Sequence, residues 1–226
     1  MAGSTGIHLY YHPRACSLAA HLVLEELGVD YSRHLVDLRK GQNRDPEYLA
    51  VNPTGAIPAL VIDGVTLTET HAILTYLGDL QPERNLLPRP GDFARYRAHE
   101  WMNFLSSSVH AYVRSIFRPS AYAGDNGEAE DAVKQQGVRN LAGAVGQVEQ
   151  RLANQTWALG AQFSVVDAYL FVLYLWTTDR RIATVPARPN WDRVAERVWR
   201  RPAVRRVIEV EQEDRDYGVP DHWTLS

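Results

Sequence analysis

The sequence predicts an α+β protein with two domains, a small α/β unit containing a mixed sheet and an all-helical part that follows it. Short runs of branched and aromatic residues alternate with helical runs as far as residue 80. Asp63-Gly64 marks a hairpin turn between two of these runs. Residues 82–92 are rich in proline and charge, which is typical of a linker. Because every later segment has helical periodicity, we place the domains at residues 1–81 and 93–226.

The first domain contains four predicted strands, two longer helices and one short helical turn. Pro13 ends the first strand, and Gly28 stands where the first helix should stop. The order strand, helix, strand, hairpin and helix predicts a sheet with parallel and antiparallel neighbours. The predicted elements are a strand at 7–11, a helix at 15–28, a strand at 31–36, a helical turn at 46–50, a strand that ends at 62, a strand at 65–67 and a helix at 69–80.

The second domain contains five predicted helices, one of which has the composition of a bundle core. Residues 165–178 are apolar nearly all round, which favours a central position. Ser164 and Asp167 have the spacing of a capping box at the start of this helix. The glycines of the second helix would allow close packing, and the polar tail at 213–226 is either disordered or folded back. The predicted helices cover 93–117, 128–153, 165–178, 189–200 and 202–211.

Composition excludes several classes of protein. The chain is 45% hydrophobic and 23% charged with a net charge of −3, which argues against a nucleic-acid partner. One cysteine in 226 residues excludes an intramolecular disulfide and fits a reducing compartment. The start of the chain lacks the pattern of a secretory signal, and no apolar run reaches the length of a membrane span. We therefore expect a cytoplasmic protein with no membrane partner.

The single cysteine, Cys16, follows the first strand and lies in the first turn of the first helix. Unpaired N–H groups and the helix dipole favour a thiolate at such a place, and Arg14 adds a positive charge nearby. Ser17 offers a hydroxyl donor beside it. The other interpretation is a small apolar residue in a packed helix, since free cysteine is often buried. The stretch alone leaves both interpretations open.

Several separate motifs, taken together and in order, resemble those of a known family. The chain resembles the cytosolic glutathione transferases, most of all the bacterial beta class, over roughly residues 7–211. The motifs are Tyr11-x-x-x-x-Cys16-Ser17, Val51-Asn52-Pro53-x-Gly55-x-x-Pro58-Ala59-Leu60, Leu67-Thr68-Glu69, Glu100-Trp101-x-Asn103, His110 and Ser164-x-x-Asp167-Ala168. The resemblance implies a thioredoxin-like first domain, an all-helical second domain, a homodimer and glutathione as cosubstrate.

The resemblance also implies where glutathione binds. Pro58 matches the cis-proline of the family, and the backbone of Ile57 would pair with the cysteinyl part as an added strand does. Glu69 and Thr70 match the segment that holds the γ-glutamyl group, at a helix N-terminus suited to a carboxylate. Asn103 matches a residue that reaches the site from the helical domain.

The chain departs from the family pattern at two places. Ala56 stands where a glutamine is often found, so one side-chain contact with glutathione is missing. The basic residue for the glycine carboxylate is not aligned with certainty, and Arg39 and Lys40 are the candidates. These departures bear on affinity for glutathione more than on the fold.

The implied catalytic residues surround the glutathione sulfur. Cys16, Ser17 and the helix N-terminus would polarise that sulfur. Tyr11 lies nearby and is favoured as a structural strand residue. His110 would polarise the electrophile or shape its pocket, or is simply a hydrogen-bonded helix histidine. Aromatic residues at helical spacing could wall an apolar pocket or belong to the core; these are Tyr112, Phe117 and Trp176.

The implied activity is conjugation of the glutathione thiolate to small, largely apolar electrophiles. Alternatives within the family are a glutathione-dependent thiol transferase, dehalogenase or β-etherase, and a maleyl-type isomerase. A non-catalytic binding or assembly module on the same fold is the alternative of another class. The sequence shows no zinc helix, cysteine cluster, nucleophile elbow or Walker loop, so we expect no metal and no other common chemistry.

Overall fold

A four-stranded mixed sheet forms the centre of the first domain. The computed structural model describes residues 6–179, 181–182 and 185–214. The strand order is β2-β1-β3-β4, with β1 parallel to β2, and β3 antiparallel to both β1 and β4. The sequence-based prediction of a mixed sheet is confirmed. The strands are β1 at Ile7–Tyr11, β2 at Tyr31–Leu35, β3 at Ala59–Ile62 and β4 at Val65–Thr68.

Three α-helices complete this domain, and the first of them packs against both domains. Helix α1 ends at Gly28, whose φ of 67° and N–H bond to the Leu24 carbonyl close its last turn. One part of its surface contacts α3, and another contacts helices of the second domain. The helices are α1 at Ser17–Leu27, α2 at Pro46–Val51 and α3 at Thr70–Leu80, with short 3₁₀ turns at Gln42–Arg44 and Pro82–Arg84.

Among the described residues of the second domain, the regular elements are helices, joined by loops that include one isolated bridge between Trp157 and Gly160. The predicted helix at 93–117 has the expected extent, but a π-helical segment at Leu105–His110 interrupts it. This segment separates α4 from α5 and carries His110. The other elements are α4 at Phe93–Phe104, α5 at Ala111–Phe117, α6 at Ser120–Ala123, α7 at Gly127–Arg151, α8 at Val165–Thr177, α9 at Pro189–Trp199 and α10 at Pro202–Asp214. Of the polar tail, only 213–214 fall within the described residues, at the end of α10, so the prediction for the rest lies outside them.

Helix α8 occupies the centre of the helical domain, as its composition predicted. Every side chain of α8 except that of Trp176 is buried. The predicted capping box is present, and the Asp167 carboxylate accepts hydrogen bonds from the Ser164 N–H at 2.9 Å and the Ser164 hydroxyl at 2.8 Å. It also accepts from the Ala158 N–H at 2.7 Å. Burial raises the pKa of Asp167 to about 6.

Close packing at a glycine occurs at one of the three predicted positions. A Cβ added at Gly137 of α7 would lie 2.3 Å from the Ser115 Oγ of α5, so only glycine fits there without a shift. A Cβ at Gly143 or Gly146 would meet nothing within 4 Å. The prediction is therefore right for Gly137 and wrong for the other two glycines.

Polar pairs fasten α1 to the last described helix, α10, and to the turn before it. His21 is almost fully buried, and its Nδ1 lies 2.7 Å from Oε1 of the fully buried Glu211. Two more exposed pairs lie along the same contact. These pairs are Arg201 with Glu26 and Arg206 with Glu25. These pairs therefore attach α1, whose N-cap residue is Cys16, to the helical domain.

Within the part of the chain that the structure describes, no helix combines the length and the apolar character needed to cross a membrane. No group of three or more His, Cys, Asp or Glu side chains in that part is arranged to hold a metal ion.

Candidate active site

Cys16 lies at the junction of the sheet and α1, facing the loop before β3. It is the N-cap residue of α1, one position before the helix proper. Its thiol donates a hydrogen bond to the Ile57 carbonyl oxygen at 3.2 Å, and the Thr70 side chain also hydrogen-bonds the sulfur. The fold therefore brings together three of the predicted site residues, which come from three separate segments of the chain.

The ionisation state of Cys16 depends on its burial more than on its place at the start of a helix. Burial raises the pKa of the Cys16 thiol to about 11 because only 7% of the residue is exposed, and the nearby Glu69 carboxylate raises it further. Hydrogen bonds from Thr70 and from backbone N–H groups lower the pKa by less. Of the two interpretations that the sequence left open, the raised pKa favours a buried neutral thiol, so that Cys16 is a hydrogen-bond donor near pH 7.

Ser17 is the first residue of α1, and its side chain bonds to the turn before the helix. Its side chain is fully buried, and its hydroxyl donates to the His12 carbonyl at 3.1 Å. The same oxygen accepts the His12 N–H at 3.2 Å. Both bonds close the turn between β1 and α1, so the predicted role of Ser17 as a donor to a sulfur does not fit this geometry.

Two side chains hold the segment before β3 in place. Asn52 belongs to the sequence motif, whereas Tyr48 lies outside it. The Ile57–Pro58 peptide bond is cis, as the resemblance predicted. The Ala56 carbonyl accepts hydrogen bonds from the Tyr48 hydroxyl and from the Asn52 Nδ2, the latter at 2.7 Å. The sequence analysis missed Tyr48, because an aromatic residue in a short helix carries no signal of a contact eight residues away. These bonds hold the backbone of Ile57 in place beside Cys16.

The start of α3 faces the same site. The helix begins at Thr70, which is buried, and Glu69 is its N-cap residue with a φ of 67°. The Glu69 carbonyl accepts the Ile73 N–H at 2.9 Å, so the first turn forms directly after it. The predicted start of the helix at Glu69 is therefore off by one residue. A helix N-terminus beside a thiol provides N–H donors for an anion.

The two candidate cations lie in the loop after β2. Arg39 and Lys40 are exposed and contact the carboxylate of Asp37, at 3.1 Å and 4.0 Å. Hydrogen bonds from Arg39 lower the pKa of Asp37. A ligand carboxylate at this loop would compete with Asp37 for both cations.

The helical domain contributes His110, Tyr169 and Trp176 to the opposite side. The His110 Nδ1 lies 3.3 Å from the Tyr169 hydroxyl, and the His110 and Trp176 rings meet edge to face at 4.9 Å. The Trp176 indole N–H donates to the Arg14 carbonyl at 2.6 Å, which joins α8 to the turn before Cys16. Burial lowers the pKa of His110 to about 4, so its imidazole is neutral near pH 7.

Tyr169 is a site residue that sequence reasoning missed. It stands in a nearly continuous apolar helix, where a tyrosine is indistinguishable from core. Burial raises the pKa of Tyr169 well above the ordinary value, and the Glu69 carboxylate and an ionised Cys16 would raise it further. The contact of its hydroxyl with His110 joins Tyr169 to the helical side of the site.

Other predicted residues serve the scaffold. The Tyr11 hydroxyl accepts a hydrogen bond from Arg33 at 3.3 Å, and its buried ring lies 5.6 Å from that of His21, which supports the structural interpretation. Phe117 packs against a surface cation, because the Arg181 guanidinium carbon lies 3.7 Å from the centroid of its ring. Tyr112 packs at the edge of the core.

Asn103 reaches α3 from the helical domain, but its partner was not predicted. The Oδ1 of Asn103 on α4 lies 3.0 Å from the Nδ1 of His71, which directly follows Thr70. The amide is thereby placed against the first turn of α3. No sequence motif marked His71.

A thioredoxin-like sheet domain, joined to a helical bundle and carrying a cysteine opposite a cis-proline, defines a class of two-domain thiol-dependent proteins. Comparison with known proteins narrows this class. Residues 14–80 match the family model described as "Glutathione S-transferase, N-terminal domain", and residues 105–202 match "Glutathione S-transferase, C-terminal domain". The chain belongs to the cytosolic glutathione S-transferase superfamily, as its motifs predicted, and is a glutathione S-transferase enzyme.

Individual relatives agree with this assignment. Glutathione S-transferase GstA of Escherichia coli O157:H7 is 39% identical over 171 residues, which is 74% of this chain and 81% of the relative. The bacterial beta-class glutathione S-transferase of Sphingomonas chungbukensis superposes with a TM-score of 0.79 at 34% identity, over 90% of this chain and 98% of that one. A sphingomonad glutathione S-transferase complexed with glutathione gives a TM-score of 0.79 at 33% identity, over 91% and 98%.

Proposed function

We propose that this protein conjugates the thiolate of glutathione to small, largely apolar electrophiles, with the sulfur activated by the neutral thiol of Cys16. One observation carries the proposal. The Cys16 thiol lies 3.2 Å from the Ile57 carbonyl, beside the first turn of α3. This arrangement offers a sulfur donor, a backbone edge and an anion site, which suit the thiol, the peptide backbone and the γ-glutamyl carboxylate of glutathione. The sphingomonad relative with bound glutathione supports it.

The backbone of Ile57 would pair with the cysteinyl part of glutathione, as an added strand pairs with a sheet edge. Because Tyr48 and Asn52 already fix the neighbouring carbonyl of Ala56, little backbone entropy is lost when the tripeptide binds. The missing side-chain contact at Ala56 weakens this part of the site.

The two ends of glutathione would meet charged or dipolar groups. The first turn of α3 would take the α-carboxylate of the γ-glutamyl part, with the Thr70 N–H and the Asn103 amide nearby, and the exposed Glu69 carboxylate would face its ammonium group. Arg39 or Lys40 would take the glycine carboxylate, in competition with Asp37.

Activation of the glutathione sulfur would depend on a neutral Cys16. When glutathione binds, the Cys16 S–H would turn from the Ile57 carbonyl to the glutathione sulfur. A hydrogen bond to a charged group contributes about 1.5–3 kcal/mol. Such a bond would lower the pKa of the bound thiol by about one to two units. The chain thus supplies a donor, while glutathione supplies the nucleophile.

The electrophile would lie against the helical domain. Trp176 is partly exposed and the edge of the His110 ring meets it, so these two side chains form an aromatic wall near Cys16. A neutral His110 donates or accepts a hydrogen bond without placing a charge beside an apolar substrate. Its bond to Tyr169 holds the ring in position.

The ionisation of Cys16 disfavours the redox alternative. Thiol–disulfide exchange requires the thiolate, and a pKa of about 11 leaves only about one molecule in ten thousand ionised at pH 7. Thiol transfer through a Cys16 mixed disulfide is therefore expected to be slow. Maleyl-type isomerisation, dehalogenation and β-ether cleavage remain assay controls, since no contact in the described residues favours them.

Two assays test the proposal. The purified chain should be retained by glutathione-agarose and should conjugate glutathione to chlorodinitrobenzene, while thiol transfer to a small disulfide should be slow. Retention without conjugation of any electrophile would support the non-catalytic module instead. Failure of both retention and conjugation would contradict glutathione as cosubstrate.

We also propose a cytoplasmic homodimer in which residues 1–81 bind glutathione, 82–92 link the domains and 93–226 provide the electrophile side. Exposed large apolar side chains support a self-association surface, because Val65 of β4 is 70% exposed and Phe93 of α4 is 68% exposed. Light scattering should give twice the mass of the chain. Phe93→Ser should shift the protein toward monomer.

A further inference from the structure

Three polar side chains form a chain of hydrogen bonds across the contact between α3 and α4. The Nδ1 of His71 lies 3.0 Å from Oδ1 of Asn103. The Nε2 of the same ring lies 2.8 Å from Nδ1 of His99. Thus one histidine of the first domain joins two residues of the second, one helical turn apart on α4.

The acceptor at one end fixes the direction of every bond in the chain. A carbonyl oxygen only accepts, so His71 Nδ1 carries a proton and donates it to Asn103. The Nε2 of a neutral His71 then accepts, and His99 Nδ1–H must be the donor to it. Burial lowers the pKa of His71 and of His99, and each ring thus stays neutral with every facing nitrogen satisfied.

This direction decides which half of the Asn103 amide remains for a ligand. Because its oxygen is bound to His71, the NH₂ group is the free half. An NH₂ group attracts a carboxylate, whereas a rotated amide would present an oxygen and repel it. The Asn103 amide lies beside the first turn of α3, where it contacts His71, the residue after Thr70.

We infer that His71 is a positioning residue for glutathione, which holds the Asn103 amide so that its NH₂ group faces the α-carboxylate of the γ-glutamyl part. His99 supports this arrangement by fixing the tautomer of His71. The inference rests on the proposed binding of glutathione at α3. It assigns to the His71–His99 pair a role in recognising one end of the tripeptide, separate from activation of the sulfur.

Replacement of His71 tests the inference through the kinetics of chlorodinitrobenzene conjugation. His71→Leu removes the donor, and we expect the glutathione KM to rise about tenfold, with kcat within about twofold of wild type. His71→Asn places an amide N–H near the former Nδ1, so it should restore most of the KM. Asn103→Ala should reproduce the rise in KM, and His71→Leu added to it should cause little further change.

Two comparisons separate recognition from general damage. Cysteinylglycine lacks the γ-glutamyl part, so its kcat/KM should be nearly unchanged by His71→Leu while that of glutathione falls about tenfold. His34→Gln is the matched control, because His34 also forms a histidine pair, with His8 at 3.0 Å, but on the sheet. His34→Gln should leave kcat/KM for glutathione and kcat/KM for cysteinylglycine at the wild-type level.

Several results would overturn the inference. An unchanged glutathione KM in His71→Leu, an equal loss for cysteinylglycine, or an absence of rescue by His71→Asn would each do so. Should His71→Leu fail to fold, the Asn103→Ala and His71→Asn kinetics decide the matter. A wild-type enzyme that neither binds nor conjugates glutathione would overturn the proposed function as well, whereas a wild-type enzyme with normal activity isolates the failure to His71.

Discussion

The thiol of Cys16 donates a hydrogen bond to the carbonyl oxygen of Ile57 at 3.2 Å, across two segments separated by 41 positions in sequence. The bond fixes the direction of the S–H, and burial keeps the sulfur protonated near pH 7. A bound glutathione sulfur would take the place of the carbonyl as acceptor. In this account Cys16 donates a hydrogen bond to the glutathione sulfur and does not itself attack the substrate, and kinetic measurements can distinguish the two roles.

Substitution of Cys16 distinguishes a donor from a nucleophile. Cys16→Ser keeps a neutral donor, so conjugation of chlorodinitrobenzene should retain kcat within about tenfold, while Cys16→Ala should lose about ten- to a hundredfold because a bond to a charged sulfur is missing. Steady-state kinetics at saturating glutathione measure both. Equal losses in the two variants would instead show that the sulfur atom of Cys16 itself is required.

The pH dependence of Cys16 alkylation follows from its raised pKa. Iodoacetamide reacts with the thiolate, and below a pKa of about 11 the thiolate fraction rises about tenfold for each pH unit. The alkylation rate without glutathione should therefore still be increasing at pH 9. A rate that levels off near pH 7 would mean that the helix N-terminus dominates over burial.

The stability of the enzyme should carry a signature of His110. Because burial lowers the pKa of His110 to about 4, the unfolded chain binds more protons than the folded chain between about pH 6.5 and 4. Its contribution to stability is present above the unfolded pKa and is lost as the pH falls through this window. The free energy of unfolding of His110→Gln, measured by urea denaturation, should decline less between these pH values than that of wild type. Parallel curves would contradict the assignment.

Glycines on one helix allow a matched test of packing. Gly137→Ala should destabilise the protein by about 1–3 kcal/mol, since the new methyl group meets Ser115 at 2.3 Å and the helices must move apart. Gly143→Ala on the same helix meets open space and should stabilise it by up to about 1 kcal/mol. Denaturant midpoints for the two variants should lie on opposite sides of wild type. Shifts in the same direction would contradict the packing account.

The contact between α1 and α10 predicts a contrast between a buried and an exposed pair. Glu211→Ala leaves His21 without its buried partner and should cost about 3 kcal/mol or more. Arg206→Ala breaks the exposed pair with Glu25 and should cost less than about 1 kcal/mol. Similar losses of unfolding free energy in the two variants would contradict this contrast between the buried and the exposed pair.

The sequence was sufficient for the fold because its elements carry local signals. Gly28 ends a helix, Asp63-Gly64 closes a hairpin, and the apolar composition of α8 places it in the centre. The ionisation of Cys16 was not predictable in this way, since it depends on burial by segments distant in sequence. The role of Ser17 was not predictable for a different reason, because its hydroxyl bonds to the His12 backbone of the local turn and no motif marks such a bond. The helical side of the site was only partly predictable, and Tyr169 has no motif of its own.

The most direct test of the central claim is an ultraviolet titration of thiolate absorbance in the wild-type enzyme and in Cys16→Ser, each with and without saturating glutathione. We predict no thiolate near pH 7 in either free protein. When glutathione is bound, we predict about a quarter to three quarters of a thiolate per chain in both, because the ionised sulfur belongs to glutathione and a thiol pKa lowered by about one to two units from about 8.5 lies close to 7. A thiolate in the free wild-type enzyme that is absent from Cys16→Ser would contradict the claim. So would a glutathione-saturated enzyme in which no thiolate forms.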